Sequence, residues 1–238
     1  MKILAVDSSG ITASVAVYID GVVTAVNSVN NNKKHSQTLL PMIEHVMKQA
    51  DINVSNLDDI AVAEGPGSFT GLRIGAATVK GLSFATGKPI IPVSTLAALA
   101  YNFAGMDGLI CPVMDARRGQ VYSAVYTFCN DVINEVYEPE ALAVDELLER
   151  LCKEHPGERV IFPGDGVLVH EKRIRDVMKD RAFIALSHQR FQSAASVAML
   201  AAQMYADGIF VSGADFEPVY LRLSQAERER MEKGAGND

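Results

Sequence analysis

Two acids, each at the end of an apolar run, are the first residues in this chain whose type and setting point to chemistry. Asp7 closes the run Ile3-Leu4-Ala5-Val6 and is followed by Ser8-Ser9-Gly10. Asp115 closes the run that begins at Leu109 and is followed, after Ala116, by Arg117-Arg118-Gly119. An acid at the tip of a buried strand, beside a turn of small residues, can hold Mg²⁺ or orient a water in a phosphate-cleaving cleft. It can also simply accept the backbone N–H of its own turn. The two arginines of the second turn favour that plainer role, because close backbone approach to a phosphate wants small residues. Asp7, Ser8, Ser9, Gly10 and Asp115 are therefore candidates for a vestigial nucleotide cleft between two halves of the molecule.

The densest motif is Gly65-Pro66-Gly67-Ser68-Phe69-Thr70-Gly71-Leu72-Arg73-Ile74-Gly75. A glycine-rich passage from strand to helix can cradle an anion on free N–H groups. This one lacks the Lys-Ser or Lys-Thr of a P-loop and the spacing of a dinucleotide fingerprint. Its glycines instead recur every four residues, which puts Gly71 and Gly75 on one helical face. Each glycine inside a helix costs about 1 kcal/mol relative to alanine, and close approach of another backbone is the usual compensation. That backbone belongs either to the chain's own sheet or to a partner helix. The partner reading draws support from Leu72, Ile74, Ala76, Ala77, Val79, Leu82, Phe84 and Ala85, which make the helix apolar around most of its circumference.

Other chemistries find little support. No two of the five histidines (His35, His45, His155, His170, His188) are spaced to share a helical face, so a site of paired histidines on one helix is absent. There is no G-x-S-x-G elbow. Asp58-Asp59 reads as a solvated turn. Cys111, Cys129 and Cys152 are few and form no CxxC, which points to a reduced, cytoplasmic setting. The chain carries 22 Lys and Arg against 29 Asp and Glu, a net charge of −7, and so is ill suited to grip nucleic acid through a basic face. Its apolar runs fall short of the roughly 20 residues of a membrane span.

The elements that must position these groups follow from periodicity and turn chemistry. Strands are predicted at Ile3–Asp7, Ala13–Ile19 and Val22–Val29, the last two joined by an Asp20-Gly21 hairpin. A helix at His35–Ala50 carries Leu39, Ile43, Val46 and Met47 at helical spacing, with Pro41 in an awkward place. A strand at Ile60–Glu64, a helix at Thr70–Thr86, a strand at Ile90–Val93 and a helix at Ser94–Ala104, capped by Ser94, follow. The sequence then starts again: apolar run Leu109–Asp115, strands Gln120–Phe128 and Val132–Val136, helix Val144–Glu154, strand Val160–Phe162, helix Leu168–Met178, strand Ala182–Leu186 and apolar helix Ser193–Tyr205. At an offset of 108, Asp115 falls on Asp7, Ala124 on Ala16, Val125 on Val17 and Tyr126 on Tyr18, a weak internal repeat. The expected architecture is α/β with two similar halves, 1–105 and 106–222, the last helix packing back on the first half, and a flexible tail at 223–238.

The strings VDSSGITASVAVY, HSQTLLP, GPGSFTGLRIG, PVSTLAALA, MDARRGQVY and PVYLR, in order across residues 1–222, resemble the TsaB (YeaZ) family of tRNA threonylcarbamoyladenosine biosynthesis proteins. The resemblance implies an actin-like ASKHA fold built from two RNase H-like subdomains. It implies a subunit that is itself non-catalytic and works with TsaD, the threonylcarbamoyl transferase, and the ATPase TsaE. TsaD carries an HxxxH metal motif; the matching positions here are Thr95 and Leu99, and leucine cannot ligate a metal. The resemblance further implies contact through the helices 35–50 and 70–86, with Leu39, Leu40, Ile43, Val46, Met47, Gly71, Arg73, Gly75 and Val79 as interface candidates. It implies a homodimer when the chain is alone, tRNA contact only through the complex, and no cofactor or metal of its own beyond a nucleotide at the TsaD interface. The alternatives are an ATP-dependent phosphotransferase using Asp7 and Asp115 and, more distantly, a glycoprotease-like metallopeptidase.

Overall fold

The computed structural model describes residues 1–31, 33–129 and 132–222. The first half opens with a meander. Strands β1 (Lys2–Asp7), β2 (Ala13–Ile19) and β3 (Val22–Val29) pair antiparallel in sequence. The β2–β3 turn is Asp20-Gly21, both at positive φ, the geometry a two-residue hairpin requires. Helix α1 (His35–Gln49) leads to β4 (Asp59–Gly65), α2 (Phe69–Thr86), β5 (Ile90–Ser94) and α3 (Thr95–Tyr101). Strands β4 and β5 lie parallel to β1, giving the order β3-β2-β1-β4-β5.

The second half repeats this plan. Its first strand is broken into β6 (Leu109–Ile110) and β7 (Val113–Asp115) by Cys111-Pro112, proline having no N–H for a ladder. Then come β8 (Gln120–Cys129), β9 (Val132–Ala143), α4 (Val144–Glu154), β10 (Val160–Phe162), α5 (Gly166–Met178), β11 (Ala182–Ile184), the short α6 (Ser187–Arg190) and α7 (Ala194–Ala206). Strand β9 pairs with β8, and β6/β7 lie between β8 and the parallel pair β10-β11. Both sheets thus run third-second-first-fourth-fifth. Two RNase H-like halves facing each other across a cleft make the actin-like ASKHA architecture.

Several boundaries differ from the sequence pattern for local reasons. Pro41 sits well inside α1, with its ring on the exposed face, where water can reach the carbonyl it leaves unbonded. Helix α3 ends at Tyr101 rather than Ala104: the Phe103 and Ala104 N–H groups turn back to the carbonyls of Ala100 and Tyr101, three residues behind, and the Asn102 side-chain amide ties this end to the carbonyls of Gln189 and Phe191, both at 2.9 Å. Strand β9 runs on past Val136 to Ala143, following β8 through a bulge. Strand β11 stops at Ile184, and Leu186 starts the unforeseen α6. The expected flexible tail lies outside the described residues, as does Asn32 of the expected loop.

Among the described residues, four apolar clusters hold the molecule together. One joins α1 and α2 to the first sheet through Leu4, Val6, Leu39, Ile43, Val46 and Val79. The opposite face of that sheet is covered by α7, whose Val197, Ala198 and Ala201 pack on Ile3, Ala5 and Ala16; the last helix of the second half thereby closes the first. A third cluster lies between the second sheet and helices α4 and α5. The fourth is the junction: Leu96, Leu99 and Phe103 at the α3 end meet Ile110, Met114 and Tyr126 of the second sheet.

The internal repeat is real in topology, but the offset of 108 holds only for its second strand. Ile3 pairs with Tyr18 and Ile110 pairs with Tyr126, so the first strands correspond at an offset of 107. The turn between the first two strands has five residues in the first half (8–12) and four in the second (116–119), which produces the slip. Asp115 therefore corresponds to Ser8, and its side chain points to the opposite face of the sheet from that of Asp7.

Candidate functional site

The cleft between the halves has a volume of about 450 Å³ and is lined by Ser9 and Gly10, Gly67 to Thr70, Asp115 to Arg117, Asp165, Tyr220 and Arg222. Each wall is the C-terminal end of a strand followed by a turn, where α/β folds commonly bind ligands.

Asp7 is not on that wall. It is fully buried, and its Oδ1 accepts the Ser9 N–H at 2.9 Å and the Ser9 hydroxyl at 2.6 Å. Its Oδ2 has no partner among the described residues. Burial pushes the carboxyl up to about 6, against the opposing pull of the two Ser9 hydrogen bonds. Asp115 does face the cleft, but it too serves its own turn: Oδ1 accepts the Arg117 N–H at 2.8 Å, and the Arg117 guanidinium lies 3.4 Å from Oδ2. The expectation of two equivalent acids facing one cleft is thus corrected. The strand slip sends one inward, and both close Asx turns.

Asp165 is the acid the sequence reading missed. Its Oδ1 accepts the Asp115 N–H at 3.3 Å, and burial raises its carboxyl above the ordinary range. The signal was present in Pro163-Gly164-Asp165-Gly166, a strand-to-helix turn matching the Gly65 turn of the first half. Arg117 and Arg118 hold φ of 67° and 55°, in the left-handed region that arginine rarely adopts. Asp59 is a further correction. It is 1% exposed, because β4 pairs it with Ile3 inside the sheet; burial moves its carboxyl up to about 6.

The glycine stripe faces the chain's own backbone. Ser68 N–H donates to the Ser9 carbonyl at 2.7 Å, and the Ser68 hydroxyl caps α2 by accepting the Gly71 N–H. A Cβ on Gly67 would overlap the Ser9 carbonyl, one on Gly71 the Ser8 carbonyl, and one on Gly75 would stand 2.5 Å from the Ser8 hydroxyl. Helix α2 uses its missing side chains to press on the turn that follows Asp7.

The proposed interface residues divide accordingly. Leu39, Ile43, Val46, Met47 and Val79 are buried in the first half's own core, and Gly71 and Gly75 against Ser8. All seven pack within the chain: the amphipathic stripe of α1 and Val79 of α2 face the sheet, and the α2 glycines lie on the turn that follows Asp7. Leu40, 58% exposed, and Arg73, whose guanidinium lies 3.9 Å from the Phe69 ring centre, are on the outside. Farther along the outer face of α2 come Ala77, Gly81 with open space above it, and Phe84, 94% exposed.

Among the described residues, no helix is long and apolar enough to cross a membrane, and the three cysteines are free. Cys111 is buried beside Ser123, and burial pushes its thiol up to about 12.

A family model described as TsaD, tRNA N6-adenosine threonylcarbamoyltransferase, matches residues 20–230. The tRNA threonylcarbamoyladenosine biosynthesis protein TsaB of Bacillus subtilis is 34% identical over 98% of this chain and 99% of its own length. The Escherichia coli protein of that name is 32% identical over 95% of this chain and 96% of its own. The solved structure of YeaZ from Pseudomonas aeruginosa superposes with a TM-score of 0.80 at 28% identity, covering 92% of this chain and 99% of that one. The ROK hexokinase of Thermus thermophilus, at TM-score 0.50 and 11% identity over 87% of this chain and all of that one, shares the fold alone.

Proposed function

This chain belongs to the TsaB family of tRNA threonylcarbamoyladenosine biosynthesis proteins, and on that premise we propose that it is the non-catalytic subunit that binds and stabilises TsaD. The observation that carries the reading is the outer face of α1 and α2. Leu40, Ala77, Gly81 and Phe84 leave apolar side chains and bare backbone exposed on two helices packed side by side. Large exposed apolar groups mark interaction surfaces, and small residues such as Ala77 and Gly81 let a second helix approach closely. The same face closes on a second copy of the chain when TsaD is absent, giving an isologous dimer. TsaE and tRNA join the assembled complex.

The non-catalytic part of the proposal draws support from α3. Thr95 and Leu99, which the family resemblance matches to the TsaD metal histidines, are both buried, and Leu99 is packed into the junction between the halves. A nucleotide, where one is present, sits at the TsaD interface.

Size-exclusion chromatography with light scattering, run alone and with TsaD, tests the reading. The wild-type chain should form a homodimer alone and a heterodimer with TsaD. Phe84→Glu and Gly81→Leu should weaken both at least tenfold without lowering the melting temperature. Undiminished association in both variants would exclude this face.

A further inference from the structure

We infer that residues 211–222 form a latch that fixes the two halves in their closed relation across the cleft. After α7 the chain returns along the first half. Val211 exchanges both backbone hydrogen bonds with Ile90, at 2.8 and 2.9 Å, on the free edge of β5. Phe216 is buried in the cluster beneath α2, and Lys80 of α2 holds the carbonyls of Ala214 and Phe216 at 3.3 and 2.8 Å. The strap is thus anchored firmly to the first half.

It then climbs to the cleft. Val219 N–H donates to the Glu64 carbonyl at 2.8 Å, and Gly65, at φ 130°, leaves the space that the Val219 carbonyl fills. Tyr220 packs on Phe69 with ring centres 4.9 Å apart, and the Arg73 guanidinium also lies over that ring, 3.9 Å from its centre. Two residues on, the Arg222 guanidinium crosses to the second half and donates to the Ala116 carbonyl at 2.6 Å. Ala116 lies in the turn that carries Asp115 and the strained Arg117-Arg118.

The consequence is a hinge with a tie. On one side the halves are cemented by the α3 junction and by the α7 contacts, including the Ser14 hydroxyl accepting the Ala194 N–H at 2.8 Å. On the cleft side, Arg222 bridges the opening, with Tyr220 holding the strap to the first-half wall beside it. A charge-assisted bond to a backbone carbonyl is strong enough to bias a domain opening yet weak enough to release.

Hydrogen exchange by mass spectrometry on the full chain tests the latch, using Arg222→Ala and Tyr220→Ala. Both should speed exchange at least threefold in residues 116–119 and 64–72. Strands β1 and β8 should keep wild-type protection, and Arg222→Lys should restore most of the lost protection. Small-angle scattering should show a larger radius of gyration for the two alanine variants. Unchanged exchange in both, or an equal rise in β1 and β8, would overturn the proposal. The second result would mark the strap as ordinary packing whose loss destabilises the whole chain.

Discussion

The Ser8 hydroxyl donates to the Gly71 carbonyl at 2.9 Å, and the Gly71 Cα stands where any Cβ would overlap the Ser8 carbonyl. Strand β1 and helix α2 therefore meet backbone to backbone, and the Asp7 turn is shaped by the helix beside it. Neither neighbour can yield cheaply, since Ser8 is buried and continues a central strand. Gly71→Ala should cost about 2–3 kcal/mol by overpacking, and Gly75→Leu more. Gly81→Leu, with open space and an exposed helical position, should instead gain about 0.5–1 kcal/mol from helix propensity. Urea denaturation of the three variants checks this; equal stabilities for Gly71→Ala and Gly81→Leu would contradict it.

Asp7 makes the stability of the chain depend on pH in a direction opposite to that of a paired carboxylate. Its carboxyl titrates near 6 when folded and near 3.8 when unfolded, because burial penalises the charged form. Between those values the folded state holds the extra proton, so this contribution is full below about pH 4. It falls as pH rises to about 6 and stays low above that. Asp59 acts in the same sense. Asp7→Asn keeps an acceptor for the Ser9 N–H and removes the ionisation. It should raise stability at pH 7 by about 1–3 kcal/mol, leave pH 4 stability nearly unchanged, and shrink the loss between pH 4 and 6. Thermal melts at pH 4, 5, 6 and 7 measure the difference, and a variant less stable than wild type at pH 7 would refute the assignment.

How far these features could be read in advance depends on whether the deciding neighbour is near in sequence. The β1–β3 meander was readable because its apolar residues and the Asp20-Gly21 turn are local signals. The glycine spacing of α2 revealed that some backbone must approach, but not whose. Ser8 is 63 residues from Gly71, and only the parallel pairing of β1 with β4 brings them together. Leu39, Ile43, Val46 and Met47 form the stripe that any amphipathic helix presents. The pattern is the same whether a sheet or a partner covers it, and here the sheet does. Asp59 looked solvated because its neighbour Asp58 is, the latter accepting the exposed Lys2 N–H at 2.7 Å, yet one step along a strand reverses the face. The one-residue difference between two turns likewise hid the fact that Asp7 and Asp115 are not equivalent.

Arg118 stores strain that no packing compensates. It is exposed, holds φ at 55°, and precedes Gly119, which is also left-handed. Arg118→Gly should stabilise the chain by about 0.5–1 kcal/mol, the left-handed penalty outweighing the added freedom of the unfolded glycine. Arg117 is a poorer test, because its guanidinium pairs with Asp115. The melting temperature of Arg118→Gly should rise by a few degrees; a fall would show that the arginine side chain contributes contacts that outweigh its backbone cost.

Thr95 and Leu99 offer the sharpest test of whether α3 retains a metal site in outline. Four residues apart on one helix, they have the spacing that two imidazoles need to share an ion. Their surroundings do not fit. Leu99 is 1% exposed among Leu96, Phe103, Met114 and Tyr126, and Thr95 is wholly buried, so neither position opens onto the cleft. A double variant Thr95→His/Leu99→His would bury two polar rings in the junction of the halves, and should lose at least about 3 kcal/mol. Zinc added during purification should be found at well below one equivalent, with no recovery of stability. Stoichiometric zinc accompanied by a raised melting temperature would show that the junction can open to admit a ligand sphere, and that the distance between this chain and a metalloenzyme is two side chains rather than a rebuilt core.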